Sequence, residues 1–177
     1  MIKQLFNRAL LTMADRYDYD VTYMQDILHA DFMAFLKYMG FQCMSTHRGT
    51  LSPECLYAAR LRAILREDCG PCAQLMVNMA LEEGVDPDVV CALVDNSFGT
   101  LSDEPALVAR FTELVLDRDP EADTLREDIV SLWGSKGLTA IAFSISASRV
   151  YPALKYTLGY GKACYNIEIN NVSLKPG

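Results

Sequence analysis

Proline sits one or two residues after a serine or aspartate again and again along this chain, and that punctuation limits the architectures open to it. It recurs at Ser52-Pro53-Glu54, Asp86-Pro87-Asp88, Ser102-Asp103-Glu104-Pro105 and Asp119-Pro120-Glu121. A Ser or Asp side chain can cap a helix, and proline is tolerated in the first helical turn. An acidic residue there suits the positive end of the helix dipole. Each of these four segments therefore predicts a helix start. The segments that follow carry apolar residues at three- and four-residue spacing, as one buried helical face requires. Together with apolar positions 2, 5, 6, 9, 10 and 13 and the face marked by Val21, Met24, Ile27, Leu28, Phe32, Phe35 and Leu36, the pattern predicts an all-α protein of about eight helices.

The first helix is expected over about 2–15 and the second over about 21–38, stopped at Gly40, with a loop over 41–51. Helices are then expected to about Glu67, from Pro71 to Glu83, from Pro87 to about Asn96, to about Leu116, to about Gly134, and from Leu138 to Leu158 with a kink at Pro152. The tail 161–177 is polar; Tyr165 to Ile169 alternates and reads as a short strand or as an arm on a neighbouring subunit. This divides the chain into an N-terminal helical extension (1–50), a central helical domain (51–160) and a polar C-terminal tail.

Charge narrows the class of partner. Fourteen Asp/Glu and three Arg lie between Glu82 and Asp128, while the whole chain of 177 residues carries a net charge of −7. Nucleic-acid binding, which rests on neutralising phosphates with Lys and Arg, is not expected. Neither is a membrane span: the longest mostly apolar stretch, Leu138 to Ala147, is well short of about 20 residues. With no targeting segment visible, a cytoplasmic location is expected, where six cysteines suggest free thiols, a metal site or redox chemistry rather than a disulfide framework. The match Asn171-Val-Ser is a glycosylation sequon in letters only.

The sharpest motif is Cys69-Gly-Pro-Cys72 at a predicted helix start. Two cysteines three apart lie on one side of the first turn, where unpaired N–H groups and the dipole favour a thiolate. Their sulfurs can bond to each other or share a metal. Gly-Pro between them is the dipeptide of strongly reducing thioredoxin-type pairs, but no strand precedes Cys69, which argues against a thioredoxin fold. A zinc site would need Cys43 and His47 as further ligands, in a spacing that is no recognised zinc pattern, so no metal or other cofactor is expected. The bland reading is two small buried thiols.

The stretch from Leu51 to Val85, LSPECLYAARLRAILREDCGPCAQLMVNMALEEGV, resembles the AhpD-like, or carboxymuconolactone decarboxylase, superfamily. The likeness lies in the LSP helix start, the CxxC at the next helix start, the Ala80-x-x-x-Gly84 ending, and the order of the helices out to about 160. It implies a helical, homo-oligomeric domain whose Cys69–Cys72 dithiol works as a thiol–disulfide oxidoreductase or peroxidase, with a protein or small-molecule thiol as electron donor and Cys69 the favoured nucleophile. The peroxidase members surround the pair with a proton relay, and three positions depart from it. A glutamate twelve residues before the first Cys falls on Tyr57, a histidine before the second falls on Pro71, and a histidine four residues after it falls on Met76. A phenol transfers protons poorly near pH 7 and a thioether not at all, so peroxide reduction is expected to be weak. Two alternatives stand beside this reading: a non-catalytic or redox-responsive scaffold, and a decarboxylase-like enzyme, against which the CxxC counts.

Around the motif, Glu67 and Asp68 are placed to take a proton from a thiol, or else form a solvated helix terminus with Asp68 as its cap. Arg62 and Arg66 share a helical face and, with Arg60, bring positive charge, toward the thiolate or toward solvent or an interface. Arg149 is expected to pair with an acid or to snorkel. Met76, Met79 and Ala80 read as core, and Cys43, Cys55, Cys91 and Cys164 as buried thiols.

Overall fold

A computed structural model describes residues 2–163, 166–170 and 172–177. Within them the protein is all-α with eight α-helices: α1 (Ile2–Tyr17), α2 (Thr22–Ala30), α3 (Phe32–Ser45), α4 (Pro53–Leu65), α5 (Gly70–Glu82), α6 (Pro87–Val94), α7 (Asp103–Asp117) and α8 (Ala122–Thr157). A short 3-10 turn, Phe98–Thr100, precedes α7, and a hairpin of β1 (Ile167–Ile169) and β2 (Val172–Leu174) follows α8. Cys164, Tyr165 of the expected strand and Asn171 of the sequon lie outside the described residues.

Helix α4 is the axis of the main core. Every residue from Cys55 to Ile64 is buried, because α5, α6, α7 and α8 all pack around it. A helix buried on all sides must be small or apolar nearly everywhere, which the alanines and leucines of PECLYAARLRAIL supply. Its start follows the sequence signal: Ser52 Oγ accepts from the Cys55 N–H at 3.3 Å with Pro53 in the first turn. Asp86 caps α6 in the same way, accepting from Asp88 N–H at 2.8 Å.

A second apolar cluster is built by α1–α3 from Leu10, Tyr19, Tyr23, Leu28, Phe35 and Tyr38, and Leu75, Tyr151 and Leu154 close it from the α5 and α8 side. Here the expected helix 21–38 divides in two. Asp31 adopts an extended conformation (φ −149°, ψ 109°), and its carboxylate accepts from the N–H groups of Met33 and Ala34. It thus ends α2 and caps α3, a local bonding choice open to Asp and not to its apolar neighbours. Gly40 does not stop α3, which runs on to Ser45, so most of the expected loop's first half is helical. Asp31→Ala is expected to lower the unfolding free energy by about 1 kcal/mol, read from urea unfolding, with Asp31→Asn restoring most of it.

The break anticipated between the last two helices is confined to Gly134, whose φ of 65° and ψ of −173° lie outside the helical region. Pro152 keeps helical dihedrals, so the expected kink falls at the glycine and not at the proline. Helix α8 is long and apolar enough by composition to cross a membrane. It is interrupted at Gly134, and Ala140, Ile141, Ser144, Ile145, Ala147 and Ser148 are buried within this chain.

The tail is not a polar appendage. Ile167 and Ile169 are buried in the main core against α5 and α6, while Ile167 pairs with Leu174 and Ile169 with Val172 in antiparallel register. The Gln74 side-chain amide pairs with the backbone of Glu168 in both directions, at 2.9 and 2.8 Å, as a neighbouring strand would. The strand reading of 165–169 therefore holds for its described part, and it packs on its own chain.

Candidate redox site and its cavity

Between α4 and α5 the chain turns through Asp68, which takes a left-handed φ of 49°. Cys69 follows in extended conformation as the N-cap of α5, and Gly70 and Pro71 open the helix. The cap is Cys69, not Asp68, and no side chain bonds across it. Cys69 C=O accepts from Ala73 N–H at 2.9 Å, closing the first turn, and Gly70 N–H donates to Lys162 C=O at 3.0 Å. A disulfide joins Cys69 and Cys72, whose Cα atoms are 5.3 Å apart, inside the range such a bond needs.

Both cysteines are deeply placed: Cys69 is 0% exposed and Cys72 2%. Cys72, however, lines a cavity of about 210 Å³ between α1–α3 on one side and α4, α5 and α8 on the other. Cys69 is not among the residues lining it, so the cavity meets the pair at its second cysteine, opposite to the order the resemblance implies.

Two of the three positions where the family's relay would stand, Tyr57 and Met76, line this same cavity. Burial, foremost, and the negative charge of Glu83 raise the Tyr57 pKa above its ordinary value, with the Arg60 guanidinium opposing. Tyr57 is therefore an even weaker acid than a free phenol. The Arg60 Cζ lies 5.0 Å from the centre of the Tyr57 ring, and its Nη2 donates to Ser45 C=O at 2.7 Å. Glu83 is ion-paired to Arg48 at 2.7 Å.

The other charged candidates are engaged elsewhere. Glu67 forms an ion pair with Arg149, which gives Arg149 the acidic partner expected of it and leaves Glu67 outside the residues that line the cavity. Asp68 C=O accepts from the Tyr156 hydroxyl at 2.7 Å. Arg62 and Arg66 both reach Glu113 on α7, and Arg66 also Asp117. They serve the packing of α4 on α7. Met76 and Met79 pack against the main core as expected and also border the cavity, while Ala80 is buried.

The remaining thiols differ. Cys55 is buried and its pKa is pushed up to about 11 by that burial. Cys91 is half-buried and Cys43 exposed, contrary to the buried thiol expected at both. His47 packs edge-on against Phe143. Among the described residues no three His, Cys, Asp or Glu side chains come together as metal ligands.

Ser144, Ser148 and Tyr151 also line the cavity, from one face of α8, and sequence reasoning passed over the serines. Their signal was available: polar side chains four and three residues apart within an apolar helix share a face that must find something polar. Comparison with protein-family models, with curated proteins and with solved structures finds no match.

Proposed function

We propose that this protein is a thiol–disulfide oxidoreductase of the AhpD-like type, working through the Cys69–Cys72 pair. The observation that carries the reading is a disulfide in the first turn of α5 with one of its cysteines, Cys72, on the wall of a cavity. A donor thiolate enters that cavity and attacks the Cys72 sulfur. The S–S bond breaks, Cys69 leaves as a thiolate and takes up a proton, and a mixed disulfide remains on Cys72. A second donor thiolate attacks the donor's own sulfur in that mixed disulfide, releasing the donor disulfide and Cys72 as a thiolate. Two electrons have then passed from two donor thiols to the pair. The helix N-terminus stabilises the Cys72 thiolate. Burial of both cysteines selects a small-molecule thiol over a protein surface as the direct donor. Peroxidase turnover is weak in this reading, because neither Tyr57, with its raised pKa, nor Met76 can deliver the proton that a departing oxygen needs, an aid typically worth roughly 10²–10⁴-fold.

One observation favours a second reading, a scaffold in which the bond is structural: both cysteines are almost wholly inaccessible. The two separate in one experiment. Native protein incubated with dithiothreitol, quenched with an alkylating agent and mapped by mass spectrometry is expected to show reduction without unfolding. Cys69→Ser is expected to form a mixed disulfide with oxidised 2-mercaptoethanol at Cys72, and Cys72→Ser to react far more slowly at Cys69. Reduction only in denaturant would establish the structural bond instead.

A further inference from the structure

Three buried side-chain polar atoms lack any hydrogen-bond partner among the described residues: Arg60 Nε, Ser144 Oγ and the Tyr151 hydroxyl. All three belong to residues lining the cavity beside Cys72. Arg60 is 7% exposed and Ser144 1%, so bulk solvent does not serve them. The Tyr151 hydroxyl lies beside Ser45, close enough for that group to temper its raised pKa, yet not in hydrogen-bonding geometry. Buried polar atoms are rarely left unpaired, and three from two helices converging on one space point to something that occupies it.

The charge there is specific. No ion pair among the described residues includes Arg60; it meets the Ser45 carbonyl and both the ring face and the hydroxyl of Tyr57, and its Nε stays unpartnered. A buried guanidinium without a carboxylate is an incomplete arrangement, and its planar fork of donors matches a carboxylate. Glu82 and Glu83 on the wall are each paired to an arginine, Arg16 and Arg48, so the charge of Arg60 is left to be balanced by a single negative charge, too little for a phosphate dianion. The rest of the lining is mixed: Ile64, Leu75, Met76 and Met79 give it an apolar and, through the methionines, adaptable part, while Gln42 and Thr46 add neutral polar groups. At about 210 Å³ the space exceeds the roughly 150 Å³ of an apolar cavity that takes benzene.

We infer that this cavity is a binding site for a small monocarboxylate with an apolar body, its carboxylate held by Arg60 and Ser144. The inference goes beyond the redox reading and does not depend on it, since binding requires no change at the disulfide. The test uses the full-length oxidised protein and two probes of equal chain length, sodium hexanoate and 1-hexanol. Calorimetry and the methyl resonances of Met76 and Met79 report binding. Hexanoate is expected to bind at least about tenfold more tightly than hexanol and to shift both methyl signals. Arg60→Gln is expected to remove that advantage while leaving hexanol unchanged, and Ser144→Ala to reduce it in part. Equal affinity for the two probes, an undiminished hexanoate affinity in the variants, or no binding of hexanoate at millimolar concentration would each overturn the assignment. Should Arg60→Gln fail to fold, the hexanoate-to-hexanol ratio in the wild type and in Ser144→Ala decides it. Because every readout is taken on the oxidised protein, loss of this site and loss of the thiol chemistry are separately visible.

Discussion

Raised above pH 10, the protein is expected to unfold within a narrow interval, losing far-ultraviolet circular dichroism as phenolate absorbance appears. Tyr19, Tyr23, Tyr38 and Tyr57 are buried, and burial is the first cause of a raised pKa in each, to about 12 for Tyr19 and further for the others. In the unfolded chain they ionise near the ordinary value of 10.0. Between that value and the folded one the native state holds protons the unfolded state has released. The stability these phenols contribute is therefore complete below pH 10 and is lost as pH rises. Each such phenol costs about 1.4 kcal/mol per pH unit in that window, so four lose roughly 5–6 kcal/mol by about one unit above the ordinary value. That is comparable to the whole stability of an ordinary domain. Lys155 works the other way. Burial lowers its pKa, so the folded state gains as pH rises from that lowered value to 10.5. One group offsets only part of what four lose. Tyr38→Phe should make the transition less steep. A gradual ionisation of all nine tyrosines near pH 10 with the helical signal intact would refute the argument.

Glu113→Ala is expected to be the most damaging of the simple charge deletions. The Arg62 side chain is 3% exposed, and Glu113 is its carboxylate partner at 2.5 Å. Its Nη1 donates to Leu93 C=O at 2.7 Å and its Nη2 to Gly177 C=O at 3.4 Å. Without Glu113 a guanidinium stays buried with carbonyls alone, and breaking a buried pair from one side typically costs about 3–5 kcal/mol. For a chain of this size that lowers the melting temperature by roughly 10 °C. Arg62→Met should cost less, because it keeps an apolar stem in place and leaves Glu113 paired with Arg66 at 2.8 Å. Chemical denaturation measures both, and a Glu113→Ala loss below about 1 kcal/mol would show the pair to be dispensable.

What the sequence made legible was local. The starts of α4, α5 and α6 are written within single turns, as Ser52-Pro53, Gly70-Pro71 and Asp86-Pro87, and the structure opens helices at each. The proximity of Cys69 and Cys72 follows from the same geometry. What stayed hidden depends on distant partners. Asp31 looks like a polar interruption of an apolar face until its carboxylate turns back on the next helix. Arg62 and Arg66 share a face beside the cysteines, yet their acid lies on α7, 51 residues from Arg62. Glu67 is drawn away by Arg149, 82 residues on. The cavity is assembled from α4, α5 and α8 with α1–α3 set against them; the spacing of Ser144, Ser148 and Tyr151 marks a shared polar face, but no local pattern states that Arg60 on α4 will meet it.

The layer formed by α1–α3 and the segment after α3 meets the end of α5 through partners at the cavity's edge: Arg16 and Tyr17 with Glu82, and Arg48 with Glu83. These groups are partly exposed, so each contact is individually weak and screened by electrolyte. On the proposed redox reading, a thiol that enters between these layers has to part the pairs, so its rate of reaction at Cys72 is expected to rise with ionic strength even for an uncharged reagent, a dependence that a disulfide open to solvent would not have.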